Sequence, residues 1–490
     1  MKRYTPTLDE VRAISRNESG NLVPVYREVM ADLDTPVSAF LKVKRGDYSF
    51  LLESVEGGER PARYSFIGTE PYRVLRTGKT PVSGILDDSI DPLIDIKNEL
   101  NRFKLIPNPD LPPFHGGAVG YLSYEAVRHF EKLTVPTNNP VGLPEALFQF
   151  VDTVVVFDHF KHLMKVVSHV RLDDDLENSY KIAQDRIDET VARLSEGIPE
   201  LPVDDRHDDI NDVIRSNIRR EVYTSAVKRI VDYIIAGDII QCVYSQRFSR
   251  KTFAHPFNVY RTLRAVNPSP YTYYLEMGDH QIVGTSPELL VVVENGRVAT
   301  NPIAGTRKRG STPEEDIALE EELLSDEKEI AEHTMLLDLG RNDVGRVSIP
   351  GTVKVTQQMD VERFSHVMHL VSQVEGELDA DTDCFDAIRA TFPAGTVSGA
   401  PKIRAMEIIA ELEPDQRGPY AGALGYFGFG GNMETAITIR TLLMQGNTAS
   451  VQAGGGIVYD SNPDSEFDET VNKATALFTA LDIAEERSRQ

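Results

Sequence analysis

The chain has 490 residues, 41% apolar and 26% charged, with 76 acidic against 52 basic side chains and a formal charge of −24. That acidity excludes a nucleic-acid binder, which needs a basic footprint to displace counterions, and speaks against adhesion to an anionic membrane. Two cysteines exclude a disulfide framework, and no run approaches the roughly 20 apolar residues of a membrane span.

The start, MKRYTPTLDEVR, turns acidic where a secretion signal turns apolar, so a cytoplasmic protein is expected. Up to about residue 170 the chain reads as short strands separated by Gly, Asp and Pro signals, among them 37–44, 48–54 and 151–157. Residues 176–194 show helical spacing, with Leu176, Tyr180, Ala183, Ile187, Val191 and Leu194 on one stripe. Residues 199–213 carry six acids against Arg206 alone and read as an exposed linker. The expected division is an amino-terminal region 1–198, the linker 199–213 and a second unit 214–490. In the second unit Asn295-Gly296 is a strong hairpin turn between strands 289–294 and 297–301. Thr312-Pro313-Glu314-Glu315 is a capping box with Pro at the first helical position. Residues 422–459 read as an antiparallel meander turning at Gly446-Asn447. Strands mostly follow strands, which predicts an α+β fold of large antiparallel sheets packed as a sandwich with flanking helices. There is an internal echo: 68–71 (GTEP) resembles 284–287 (GTSP), and 117–121 (GAVGY) resembles 422–426 (GALGY).

Several motifs fail on inspection. Residues 395–402 look like a phosphate loop but lack its GK[ST] ending, and the glycines of 425–431 lack the helix of a dinucleotide fingerprint. Cys242 and Cys384 sit in apolar segments, as buried small residues do. Two expected helices carry glutamates at i, i+3: Glu329 and Glu332 in 326–339, and Glu466 and Glu469 in a last helix capped by Ser465. Residues three apart share a helix face, and carboxylate oxygens suit Mg²⁺; the same spacing also serves a solvated acidic face.

Five segments line up in order: NPIAGTRKRG at 301–310, SDEKEIAEHTMLLDLGRND at 325–343, TFPAGTVSGAPK at 391–402, YAGALGYFGFGGNMETAITIR at 420–440 and VQAGGGIVYDSNPDSEFDETVNK at 451–473. With LLES at 51–54 and NPSPYTYY at 267–274, the chain resembles the chorismate-utilising enzymes, most closely the anthranilate synthase large-subunit (component I) family. The resemblance implies Mg²⁺-dependent addition of ammonia to C2 of chorismate with loss of the C4 hydroxyl, then elimination of pyruvate to give anthranilate. It implies that Glu329, Glu332, Glu466 and Glu469 surround the metal. Arg440, Tyr420 and the backbone of Gly454, Gly455 and Gly456 would hold the enolpyruvyl carboxylate, with Gly305, Thr306, Thr396 and Lys473 as further substrate contacts. Glu288 matches the general acid for the leaving hydroxyl, and His369 the histidine of the elimination stage.

Two positions separate sister activities. Isochorismate and salicylate synthases place a water-activating lysine where this chain has Gln241. Aminodeoxychorismate synthases place a nucleophilic lysine where it has Ala304. Both substitutions match the anthranilate synthase pattern; aminodeoxychorismate or aminodeoxyisochorismate synthase is the alternative activity. No glutaminase nucleophile motif is present, so the resemblance implies a separate amidotransferase small subunit (component II). Glu53, Ser54, Pro270, Tyr271 and Thr272 match the family's site for L-tryptophan as feedback inhibitor. A catalytically dead tryptophan-binding subunit is the rival of another class; it would have lost the metal carboxylates, and all four are present.

Overall fold

The computed structural model describes residues 4–54, 63–78, 91–173, 175–201, 213–364 and 367–488. The linker 199–213 therefore falls largely outside the described residues. Two antiparallel sheets, of 12 and 10 strands, form the framework, in agreement with the expected α+β sandwich.

Both sheets are built from both ends of the chain. In the first, Tyr48–Glu53 pairs with Tyr271–Met277, putting Glu53 opposite Thr272. In the second, Gly117–Leu122 pairs with Ala423–Gly428, putting Gly120 opposite Gly425. Outward from these junctions the order is palindromic. In the first sheet Tyr64–Thr69 mirrors Gln281–Ser286, Thr153–Asp158 mirrors Thr441–Gln445, Leu163–Arg171 mirrors Thr448–Ile457, and Leu22–Met30 mirrors Gln241–Lys251. In the second, Ala146–Val151 mirrors Met433–Ile437 and Arg73–Thr77 mirrors Leu289–Glu294. The sequence echo thus marks an internal structural repeat. The later half alone adds Arg297–Thr300, Ile303–Lys308, Lys354–Arg363 and Val367–Glu377 to the second sheet, with helices Pro313–Ser325 and Glu327–Gly345 beside them.

Period-two patterning sorts the core. Val119 and Tyr121 point between the sheets, where they pack with Phe50, Leu275 and Ile282. Ala118 and Leu122 point the other way, towards helices carrying Ile96, Leu337, Phe385 and Ile409. The outer face of the first sheet is covered by helices bearing Phe40, Ile187, Phe257 and Phe478. Each such fully buried side chain contributes roughly 1.5–3 kcal/mol by leaving water.

Four elements differ from expectation. Residues 37–44 form a helix, Pro36–Val43, because Thr35 and Ser38 make a capping box and Pro36 opens the first turn. The strand expected over 151–157 is two strands in different sheets, Ala146–Val151 and Thr153–Asp158. The stretch 422–459 likewise is two hairpins, since the chain changes sheets between Ile437 and Thr441. The last helix runs Pro463–Ser488, and the Asn462 side chain, not Ser465, accepts the first free N–H groups.

Candidate active site

The chain crosses between the sheets twice at one place. It leaves the first sheet after Ser286 and enters the second at Leu289; it leaves the second after Ile437 and re-enters the first at Thr441. These strands are neighbours on both sides, with Gly284 opposite Thr441 and Leu289 opposite Ala436. The crossings are therefore adjacent, and they carry Glu288 and Arg440. They are fastened by Ser286 Oγ donating to Ile437 O (2.6 Å), Ile437 N to Glu288 O (3.0 Å) and Thr285 N to Arg440 O (3.2 Å). Arg440 takes φ +50°, a region uncommon for side-chain-bearing residues, which lets the chain turn out of the ladder there.

Glu288 is only 7% exposed. Burial pushes its carboxyl up to about 8, while the Thr396 hydroxyl, the Ile303 N–H and the Arg440 charge pull the other way. Thr396 faces it from the short turn Gly395–Val397, but its oxygen completes no hydrogen bond of ordinary geometry among the described residues. Arg440 is solvent-accessible, yet the surrounding protein lowers its pKa, as befits a cation in a cleft wall. Burial also lowers His369, to about 4, so its ring is neutral at pH 7. Its Nδ1 lies 2.9 Å from Gly305 O and 3.0 Å from Thr306 Oγ1, which favours Nδ1–H and leaves Nε2 as acceptor. Gly305 takes φ +69° at a bulge against Val367–Glu377.

The three successive glycines of strand Thr448–Ile457 each abut an expected site residue. A Cβ on Gly454 would lie 2.8 Å from the Tyr420 hydroxyl, one on Gly455 2.9 Å from Glu466 Oε2, and one on Gly456 2.4 Å from Gln241 Nε2. Close approach, not a strand bend, explains them. Lys473 Nζ donates to Gly454 O (3.0 Å) and pairs with Glu469 (2.6 Å).

Of the four glutamates, Glu466 and Glu469 of helix Pro463–Ser488 face Gly455, while Glu329 and Glu332 of helix Glu327–Gly345 face Gly305 and Gln241; among the described residues no three metal-ligating side chains converge. Glu329 pairs with Arg307 (3.1 Å), and Glu332 accepts from Gln241 Nε2 (3.1 Å). Burial raises the pKa of both Glu332 and Glu466, and the charge of Glu469 adds to each shift. Crowded, partly desolvated carboxylates fit a hard dication in donor chemistry. Binding it would require Glu329 and Glu469 to exchange Arg307 and Lys473 for metal. Ala304, half-buried beside the Gly305 bulge, offers no reactive atom.

The five expected inhibitor residues line one cavity of about 470 Å³, counting its open mouth, where the two halves meet. Leu424, Tyr426 and Glu434 complete the wall. The Glu53 carboxylate is turned to Arg264 (2.7 and 3.1 Å) and Tyr260, so it holds the strand in place.

Two further residues matter that the sequence reading missed. Glu434 is a half-buried carboxylate in the cavity wall that accepts from Tyr426 (3.3 Å). Arg417 donates to Glu413 (2.7 and 2.8 Å), Val397 O (2.7 Å) and Val243 O (2.8 Å) beneath the Tyr420 ring. It ties together the segments that carry Thr396, Gln241 and Tyr420. Its sole sequence signal is its place three residues before Tyr420.

Residues 48–479 match the chorismate binding enzyme family. The chain is 48% identical to anthranilate synthase component 1 of Acetivibrio thermocellus over 99% of both chains. It belongs to the anthranilate synthase component 1 family. A second component 1, from Pseudomonas aeruginosa, is 49% identical over 95% of this chain and 96% of that one. The crystal structure of anthranilate synthase component I from Streptococcus pneumoniae superposes with a TM-score of 0.74 at 40% identity, covering 92% of this chain and 98% of that chain. The menaquinone-specific isochorismate synthase of Escherichia coli, 18% identical over 97% of this chain and 99% of its own with a TM-score of 0.71, shares the fold. Among the described residues no helix is long and apolar enough to cross a membrane.

Proposed function

We propose that this chain converts chorismate and ammonia to anthranilate and pyruvate. The ammonia is released from glutamine by a partner amidotransferase subunit in the cytoplasm. The observation that carries the reading is Glu288, a buried carboxyl still protonated at neutral pH beside a cationic Arg440. A leaving hydroxyl needs an acid at that pH, and a dicarboxylate needs a cation near it. The guanidinium of Arg440, with Tyr420 and the N–H groups along Gly454–Gly456, binds the enolpyruvyl carboxylate. Thr306, Thr396 and Lys473 complete the substrate's surroundings. Ammonia adds its lone pair to C2; the C4–O bond breaks as Glu288 gives its proton to the departing oxygen, and water leaves. His369, neutral with Nε2 free to accept, serves the later loss of pyruvate. Gln241 holds an uncharged amide where a base for water would otherwise stand. Glu329, Glu332, Glu466 and Glu469 would hold Mg²⁺, which when bound would supply positive charge against the substrate's carboxylates.

The cavity at the junction of the halves supports a tryptophan site. Its wall strand Tyr271–Met277 pairs with Gln281–Ser286, which ends at the crossing of Glu288, and its Ala436 lies opposite Leu289. A ligand that shifts these strands shifts the acid.

The deciding experiment incubates the purified chain with chorismate and Mg²⁺, adding either ammonium or glutamine. Anthranilate by fluorescence and mass with ammonium alone is expected. An aminodeoxychorismate product, or glutamine-dependent activity without a partner, would overturn the reading.

A further inference from the structure

Glu288 also lines a second cavity, of about 350 Å³ including its mouth, whose wall includes residues of helix Glu327–Gly345 and does not include Arg440. Glu288 and Thr396 stand in its wall together with Asp343; Leu289, Leu336 and Leu339 supply apolar surface. The Asp343 side chain is 13% exposed and pairs with Lys402 at 2.7 Å. Lys402 also donates to Thr391 O (3.0 Å), which fixes the pair on the turn before the Thr396 segment. Thr396 Oγ1, which faces Glu288 in this wall, completes no hydrogen bond of ordinary geometry among the described residues. A hydroxyl of that kind calls for water, and the space open to the centres of water-sized spheres, about 30 Å³, holds one or two molecules.

We propose that this cavity returns the proton to Glu288, with Asp343 as the positioning residue that passes it from solvent through the intervening water. The proposal rests on the acid role assigned to Glu288 above. When Glu288 has given its proton to the departing oxygen, its carboxylate takes one from the adjacent water. That water is replenished from Asp343, which first takes a proton from solvent as its ion pair with Lys402 opens and then passes it inward. No bond other than O–H is made or broken and no oxidant or reductant is involved. Asp343 is the other carboxyl in this wall and is partly exposed, which gives Glu288 a link to solvent besides the substrate's side. The charges acting on Asp343 are Lys402 and Arg346, and the one acting on Glu288 is Arg440. Burial raises Asp343, with Lys402 opposing, so it stands nearer to proton exchange than an ordinary surface aspartate.

The test uses the whole chain with chorismate, Mg²⁺ and saturating ammonium. It compares wild type, Asp343→Asn, Asp343→Glu and Leu339→Phe for kcat, KM, pH profile and solvent deuterium isotope effect. Asp343→Asn is expected to lower kcat about tenfold, short of the 10²–10⁴ that loss of an acid itself costs. Its isotope effect should rise and its KM for chorismate stay unchanged, while Asp343→Glu recovers most of the rate. Leu339→Phe, which narrows the cavity without touching the Asp343–Lys402 pair, should give the same signature, and decides the matter if Asp343→Asn does not fold. A folded Asp343→Asn or Leu339→Phe protein with the wild-type profile and isotope effect overturns the proposal: the cavity is then a packing void. A wild type inactive on chorismate overturns the acid role of Glu288 and this proposal with it.

Discussion

Glu288 and Arg440 are 152 positions apart in sequence yet stand on adjacent strand crossings, fastened by the Ile437 N–H bond to the Glu288 carbonyl at 3.0 Å. Neither residue is in a sheet, and both owe their place to two ladders that change partners at the same level. An acid and a cation held this way cannot drift apart without breaking strand pairs on both sides.

Replacing Glu288 by Gln keeps the shape and removes the proton. The expected loss in kcat is about 10²–10⁴-fold. Wild-type activity should decline as pH rises through about 8, where the acid empties. Stability has the same sign. The folded pKa is raised, so the stabilisation is fully present below the ordinary carboxyl pKa of 4.5 and is lost as pH rises through about 8. Glu288→Gln should flatten that decline in melting temperature between pH 5 and 8, as thermal unfolding across this range reads directly.

Gly455→Ala places a methyl 2.9 Å from Glu466 Oε2. The carboxylate must swing out of the site, while the strand, held there by its ladder to Gln241–Lys251, stays. Activity should fall at least tenfold with the melting temperature nearly unchanged, and the Mg²⁺ concentration for half-maximal rate should rise. Equal Mg²⁺ dependence in variant and wild type would separate Glu466 from the metal.

Gln241→Lys puts a cation beside Glu332, the partner of the Gln241 amide at 3.1 Å. Anthranilate formation should fall, as it should in Ala304→Lys. Purified Gln241→Lys protein that formed anthranilate at the wild-type rate would remove Gln241 from the position that selects ammonia over water.

Ser54→Phe projects a ring into the cavity between the halves. The inhibition constant for tryptophan should rise by an order of magnitude or more while kcat with ammonium is retained. Equal inhibition of both proteins would exclude the cavity as the inhibitor's place.

Fold class, most helices and the antiparallel character were legible from periodicity and turn residues. The Asn295-Gly296 turn, for example, takes φ +51° and +76°, as its sequence requires. Residues 37–44 misled because Val37 and Val43 read as strand formers, whereas the Thr35 cap and Pro36 decided the structure. The site was legible as motifs and not as geometry. What pairs Glu288 with Arg440 is sheet order, a long-range property absent from any window of sequence. Arg417 was illegible for a related reason: its four acceptors come from three separate segments. The mirrored crossings of the first half carry Tyr72 and Asp152 instead. Tyr72 packs against Phe103 and Phe150, so an aromatic ring fills the counterpart of the acid's position.

The palindromic sheets carry a consequence for cutting the chain. A break between residues 205 and 206 severs none of the described strand pairs, yet each fragment alone would expose the long inner edges of both sheets, Tyr48–Glu53 with Gly117–Leu122 or Tyr271–Met277 with Ala423–Gly428. Open edges of that length invite aggregation. Co-expressed fragments should instead find each other and assemble as a non-covalent heterodimer, with the cavity lined by Ser54 and Tyr271 closed across the new interface.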